Sequence, residues 1–177
     1  MQHLSQMTPA EILDLARQGD PEAQYVHSLY CEAGIQASPD LPEAFRFCLQ
    51  AANAGYYPAA RRAASMLERG LGVSQDSTQA FYWYTRAAEL GDADSATRLG
   101  RMYANGEGVE KSEAKALEWY EEGKKRGSPW ALFALSSVYR FGELGQIKDG
   151  SKADVLGDQA VELIKERAAR ETTGSRS

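Results

Sequence analysis

The chain runs to 177 residues, 43% of them hydrophobic and 25% charged, with a net charge of −5. That length allows one domain with a sizeable core, and the acidic balance argues against non-specific DNA or RNA binding, which needs a basic surface. No apolar run approaches a membrane span, and Met1–Asp20 lacks the features of a secretory leader, so a cytoplasmic protein with no membrane insertion is expected.

The first predicted helix opens at Thr8-Pro9-Ala10-Glu11 and runs through Ile12, Leu13, Leu15 and Ala16 to Gly19. It is a half-unit, residues 8–18, that covers the open end of a repeat array. From Gly19 the chain repeats with a period of 36: Gly19, Gly55, Gly91 and Gly127 share one register, and Gly34, Gly70, Gly106 and Gly142 another. Ala44, Ala80 and Ala116 keep step, as do Phe47, Trp83 and Trp119. A fixed period in this range signals a stacked array of one supersecondary unit, which gives units at 19–54, 55–90, 91–126 and 127–163.

The third unit shows the plan. After Gly91-Asp92, small or apolar residues at Ala96, Leu99, Gly100, Met102 and Tyr103 follow helical spacing until Asn105-Gly106-Glu107-Gly108 stops them. Ser112 then caps a second helix with an inner stripe of Ala116, Trp119, Tyr120 and Gly123, running to Arg126. In the first unit Asp40-Leu41-Pro42-Glu43 opens the second helix, and in the second unit Asp76 or Ser77 does. The fourth unit has a variant loop, Gly142 to Ile147, with one extra residue before Ser151 and Ala153. From Lys152 to about Arg170 the pattern predicts a longer helix with Val155, Leu156, Val161, Leu163 and Ile164 apolar and a charged outer face. Glu171–Ser177 is expected to be a disordered tail. The whole of 8–170 reads as a single all-α array with atypical end units.

Ser28, Ala64, Gly100 and Ser136 share a position where two helices must approach closely, while Phe47, Trp83 and Trp119 fill the space between units. Truncating Trp119 to alanine is expected to cost roughly 3–5 kcal/mol on that footing. Cys31 and Cys48 fall on facing helices of the first unit, but Cys48 lies about a turn further from the connecting loop, so free thiols are expected.

These units resemble the Sel-1-like repeat, a relative of the tetratricopeptide repeat. The third matches through Gly91-Asp92, Leu99-Gly100, Met102-Tyr103, Gly106-Glu107-Gly108-Val109, Ala116 and Trp119-Tyr120, and the second through Gly70-Leu71-Gly72-Val73, Ala80, Trp83-Tyr84 and Ala87-Ala88. The first unit departs at His27-Ser28 and Gly34-Ile35-Gln36-Ala37, and the fourth lacks the Trp-Tyr pair. The resemblance implies a right-handed α-solenoid whose members hold other proteins in bacterial signalling, envelope and secretion systems and in eukaryotic quality control. A cysteine-rich branch linked to penicillin-like compounds carries a cysteine pair in every unit, and this chain does not.

No catalytic constellation is legible, and neither a cofactor nor a metal is expected. Ser112-Glu113-Ala114-Lys115 fits a Ser-x-x-Lys pattern, but its companion elements and α/β scaffold are missing, and the serine sits where a helix cap belongs. His27 takes the register of Ala63, Leu99 and Leu135, an inward position that suits a partly buried, satisfied histidine. With two histidines and two cysteines, no transition-metal cluster is expected. Gly70-Leu71-Gly72 and Gly106-Glu107-Gly108 follow helices rather than strands and are not phosphate loops.

The candidate surface is the concave groove that first helices line in helical-hairpin solenoids. Equal registers place Tyr25, Arg61, Thr97 and Phe133 side by side, with Leu29, Ser65, Arg101 and Ser137 next to them and Arg140 beyond. Trp130 extends the stripe, and Arg62 and Arg98 lie at its edge. Tyr25, Arg61, Arg62, Arg98, Arg101, Trp130, Phe133 and Arg140 are therefore the expected partner-binding residues, suited to a protein or peptide carrying acidic groups and an apolar anchor. The expected function is a non-enzymatic adaptor. The alternatives are a neutralising partner of a secreted toxin and a hydrolase of β-lactam or cell-wall-like substrates.

Overall fold

The computed structural model describes residues 4–35 and 37–174. Among the described residues there are nine α-helices and no strand: α1 Pro9–Arg17, α2 Pro21–Ala33, α3 Leu41–Asn53, α4 Tyr57–Arg69, α5 Ser77–Glu89, α6 Ala93–Asn105, α7 Glu113–Lys125, α8 Pro129–Phe141 and α9 Gly150–Gly174. They form two compact units divided at Leu90 and Gly91, a boundary between repeats.

Helix starts follow the capping chemistry of the sequence. Thr8 and Glu11 form a reciprocal capping box on α1, and Asp20, Asp40, Asp76, Asp92 and Ser112 each accept a hydrogen bond from a backbone N–H one turn into the next helix. Each first helix stops at Gly34, Gly70, Gly106 or Gly142, all left-handed. The second helix is then tied back to the first by one repeated bond: Asp40 N–H to Cys31 O, Asp76 to Leu67, Ser112 to Tyr103 and Asp149 to Tyr139, at 2.9–3.0 Å. The extra residue of the fourth repeat is thus absorbed before Asp149, and helix pairing beyond it keeps its register.

In the first unit the core gathers Leu4, Ile12, Ala16, Ala23 and Phe47, with Cys48, Met66 and Leu67 fully covered. The loop after α4 lies directly on the start of α3. A Cβ on Gly72 would stand 2.1 Å from the Leu41 carbonyl oxygen. In the second unit the core joins Tyr120 of α7 to Leu132, Leu135, Val138 and Tyr139 of α8 and Ala153, Leu156 and Ala160 of α9. The close approach expected at Gly100 is present, because a Cβ there would meet the Tyr120 ring at 2.5 Å. Trp83 is 8% exposed, whereas Trp119 is only partly buried.

Helix α9 runs unbroken for 25 residues, while α2 to α8 have 13 each. It passes the expected end at Arg170 and continues to Gly174, so the tail expected from Glu171 starts inside the helix and residues 175–177 lie outside the described residues. Its first half covers α8, and Arg167 donates a 2.6 Å hydrogen bond to the Gly127 carbonyl at the far end of that helix.

Candidate surface for protein contacts

The register of Tyr25, Arg61, Thr97 and Phe133 does more than line a groove. In the first unit Tyr25 is half-buried, with its ring 5.4 Å from that of Tyr56, the residue just before α4. In the second unit the equivalent Thr97 is buried and donates a 3.1 Å bond to Ser128, the residue just before α8. Ser128 in turn donates to Asp94 at 2.7 Å. A Cβ on Gly123 would meet the Thr97 hydroxyl at 2.8 Å, so the glycine makes room for a polar side chain in this layer. Both units therefore use this register to join one repeat to the next, where the sequence places it in an open groove.

Several of the expected arginines have carboxylate neighbours. Arg62 binds Glu32 across from α4 to α2, with Nε 3.1 Å from the carboxylate and a second, bidentate contact through Nη2. Burial lifts the Tyr25 phenol above its usual pKa, against the pull of nearby Arg61 and Arg62. In the second unit Arg101 lies 3.9 Å from Glu107, and Arg140 pairs with Asp154 of α9 at 2.8 Å. Arg61 is partly buried and Arg98 exposed.

The aromatic residues of α8 behave differently. Trp130, Phe133 and Phe141 are 57%, 37% and 59% exposed, and the Trp130 and Phe133 rings lie 6.2 Å apart at 40°. Their registers explain the exposure: Trp130 and Phe133 stand where Asp94 and Thr97 meet the following repeat, and among the described residues no repeat follows α9. Two companions on α9 escape the sequence reading. The apolar pattern sets Val161 and Ile164 on the inner stripe of that helix, yet they are 43% and 37% exposed. Allowing for the inserted residue, Val161 takes the register of Ala52, Ala88 and Lys124, of which the two alanines are buried in their own repeats and Lys124 is partly exposed. That alignment is available from the sequence.

Other chemistry is sparse. In a cleft of about 320 Å³ between α1, α2 and the start of α3, Cys31 Sγ lies 3.3 Å from His27 Nε2. The His27 ring sits edge-on to Phe47, burial lowers its pKa, and its Nδ1 is buried without a hydrogen-bond partner, so the histidine is less satisfied than its register suggests. Both cysteines are free thiols. Cys48 donates to the Ala59 carbonyl at 3.2 Å, and burial pushes its pKa up to about 12. Two consequences are checkable. A disulfide reagent should modify Cys31 in the folded protein and Cys48 only after denaturation. The buried thiol is neutral in the fold but ionises in the unfolded chain above about pH 9.0, so its contribution to stability is lost as the pH rises toward 12. Cys48→Ala should flatten that alkaline decline, and an unchanged slope would place the thiol in contact with solvent.

Ser112 accepts from the Lys115 backbone N–H at 3.4 Å as a helix cap, and the Lys115 ammonium lies over the Tyr103 ring at 5.3 Å. No group of three or more metal-ligating side chains converges among the described residues, and no described helix is long and apolar enough to cross a membrane.

Paired helices of constant length, tied by the same bond in each repeat, define an all-α helical-repeat solenoid. The chain belongs to the Sel1 repeat family, whose model matches residues 21–56, 58–92, 93–128 and 131–153. Among solved structures it is similar to a protective antigen of uropathogenic Escherichia coli strains displaying an SLR fold, with 28% identity and a TM-score of 0.81 over 88% of this chain and 33% of that one. It is similar also to a Sel1 repeat protein from Oxalobacter formigenes, with 30% identity and a TM-score of 0.79 over 87% of this chain and 63% of that one. The chain thus spans a third of the first protein and just under two thirds of the second. Helicobacter pylori cysteine rich protein B, 22% identical with a TM-score of 0.55 over 71% of this chain and 96% of that one, shares the fold. No curated protein matches the chain. Sel1 repeats generally mediate protein–protein interaction, and their family is typically non-enzymatic.

Proposed function

We propose that this chain is a non-enzymatic scaffold that holds another protein, and that its strongest contact is aromatic rather than ionic. The observation that carries this is the exposed Trp130–Phe133 pair on α8. Large rings left together in water are characteristic of a contact surface, and tryptophan is enriched among the residues that dominate binding. The arginines are secondary. Arg62, Arg101 and Arg140 already face Glu32, Glu107 and Asp154, so an acidic ligand must compete with internal carboxylates for them. Tyr25 and Arg61 of the first unit and Arg98 of the second are proposed as further contacts, each within its own unit, and they tune specificity and encounter more than affinity.

The test is capture of the bound protein by three folded variants. Trp130→Ala and Phe133→Ala should each weaken capture by tenfold or more without altering its salt dependence. The double change Arg61→Glu and Arg101→Glu should weaken it less, and mainly at low salt. Undiminished capture by both aromatic variants, with unchanged melting, would remove this reading.

A further inference from the structure

We propose that a cleft in the second unit is a carboxylate site that takes a glutamate side chain of the bound protein, with the Tyr120 hydroxyl as its donor. This rests on the scaffold reading and adds a second contact beside the aromatic pair. Its origin lies in charged side chains that the later repeats lack. In the first unit the register of Ala104 carries Glu32 and Glu68, and both carboxylates are in use. Glu32 is bound by Arg62 across from α4 to α2, and Glu68 accepts a 2.7 Å hydrogen bond from the Tyr84 hydroxyl. Two repeats on from Glu32 and Arg62 stand Ala104 and Ala134, and one repeat on from Glu68 and Tyr84 stand Ala104 and Tyr120. The tyrosine is kept and its carboxylate is gone.

Ala104, Tyr120 and Ala134 line one cleft of about 600 Å³ between α6, α7, α8 and the loop after α8. Tyr120 is 8% exposed, and among the described residues its hydroxyl makes no hydrogen bond, whereas that of Tyr84 does. Leaving a buried hydroxyl unsatisfied is costly, and a bond to a charged acceptor is among the stronger ones. The donor is also preset. A Cβ on Gly100, one turn before Ala104, would meet the Tyr120 ring at 2.5 Å, so the ring rests directly on α6. The surrounding charge is mixed. Burial raises the Tyr120 pKa, Arg101 pulls it down, and Glu143 and Glu107 add to the rise. Lys111, which lines the cleft, lies 3.9 Å from Glu113 in an exposed pair that gives way readily. A single side chain should therefore bind weakly, with a Kd of roughly 1 mM. Ala134 and Ser137, both in the cleft wall, follow Trp130 and Phe133 by one turn on α8, about 6 Å. One segment can thus set an apolar group on the rings and a glutamate in the cleft.

The probe is N-acetylglutamate amide, whose carboxylate is on the side chain, titrated into the isotope-labelled whole chain and followed by amide NMR shifts. N-acetylglutamine amide is its neutral match. The glutamate probe should move resonances around Ala104 and Tyr120 with a Kd of roughly 1 mM, and the glutamine probe should bind at least tenfold more weakly. Tyr120→Phe removes only the hydroxyl and should weaken binding at least tenfold while leaving the melting curve in place. Ala104→Glu should close the site from within, supplying what Glu68 gives Tyr84, and should abolish the shifts. No shift up to about 20 mM, equal binding of the two probes, shifts centred on Tyr84, or binding indifferent to either variant would each overturn the proposal. Capture of a protein that depends on Trp130 but ignores Tyr120→Phe and Ala104→Glu would overturn it while leaving the scaffold reading intact. Probe binding by a chain whose capture ignores Trp130→Ala and Phe133→Ala would do the reverse.

Discussion

Replacing Gly72 with alanine should destabilise the first unit by roughly 3–5 kcal/mol, the sum of backbone strain and overpacking. Two independent effects combine there. The residue has φ +70°, a conformation that costs an L side chain about 1–2 kcal/mol. Its new Cβ would also lie 2.1 Å from the Leu41 oxygen, 2.2 Å from the Leu41 carbonyl carbon and 2.7 Å from the Pro42 nitrogen. Those are backbone atoms at the start of α3, and no rotamer change relieves them. Gly55 is the matched control, since it has φ +86° but no heavy atom within 4 Å of where a Cβ would stand, so Gly55→Ala should show the conformational cost alone. Urea denaturation followed by circular dichroism separates the two. Equal midpoints for both variants would mean that the loop after α4 does not rest on α3.

Trp83→Ala should rank next, at about 3–5 kcal/mol, as large aromatic truncations in cores do. The sequence treats Trp83 and Trp119 as equivalents and assigns that loss to Trp119. Their burial separates them, because Trp83 is nearly covered whereas Trp119 keeps part of its ring in water. Trp119→Ala should therefore cost clearly less than Trp83→Ala in the same denaturation experiment. The opposite order would show that burial in each helix pair does not govern these positions.

Much of the fold is legible because repetition multiplies weak signals. A single Asp or Ser before an apolar run is a poor helix marker, but Asp40, Asp76 and Ser112 at one register each cap a helix. The inserted residue of the fourth unit is readable for the same reason. The candidate surface is harder. A shared register says that positions are equivalent without saying which way they face, and Tyr25, Thr97 and Phe133 differ too much in chemistry to suggest a common role. Only the neighbours of Tyr56 and Ser128 reveal that role. Phe133 then stands out as a packing residue left 37% exposed beside Trp130, and Val161 and Ile164 follow from it. The length of α9 exceeds its expected span for a simpler reason. Neither glycine nor proline interrupts Gly157 to Gly174, so the sequence holds no stop signal before that glycine.

The bond from Asp149 to Tyr139 matches its counterparts in the other repeats although the loop it closes is one residue longer. The loop between Gly142 and Asp149 is thus a socket whose two rims are fixed and whose span is not. Ile147 within it is almost fully exposed, and a Cβ added at Gly145 would touch nothing. Lengthening such a segment carries only a logarithmic entropy penalty, about 0.6 kcal/mol per doubling. Foreign peptide grafted there would be displayed from a rigid base, which makes this protein a ready carrier for loops of other design.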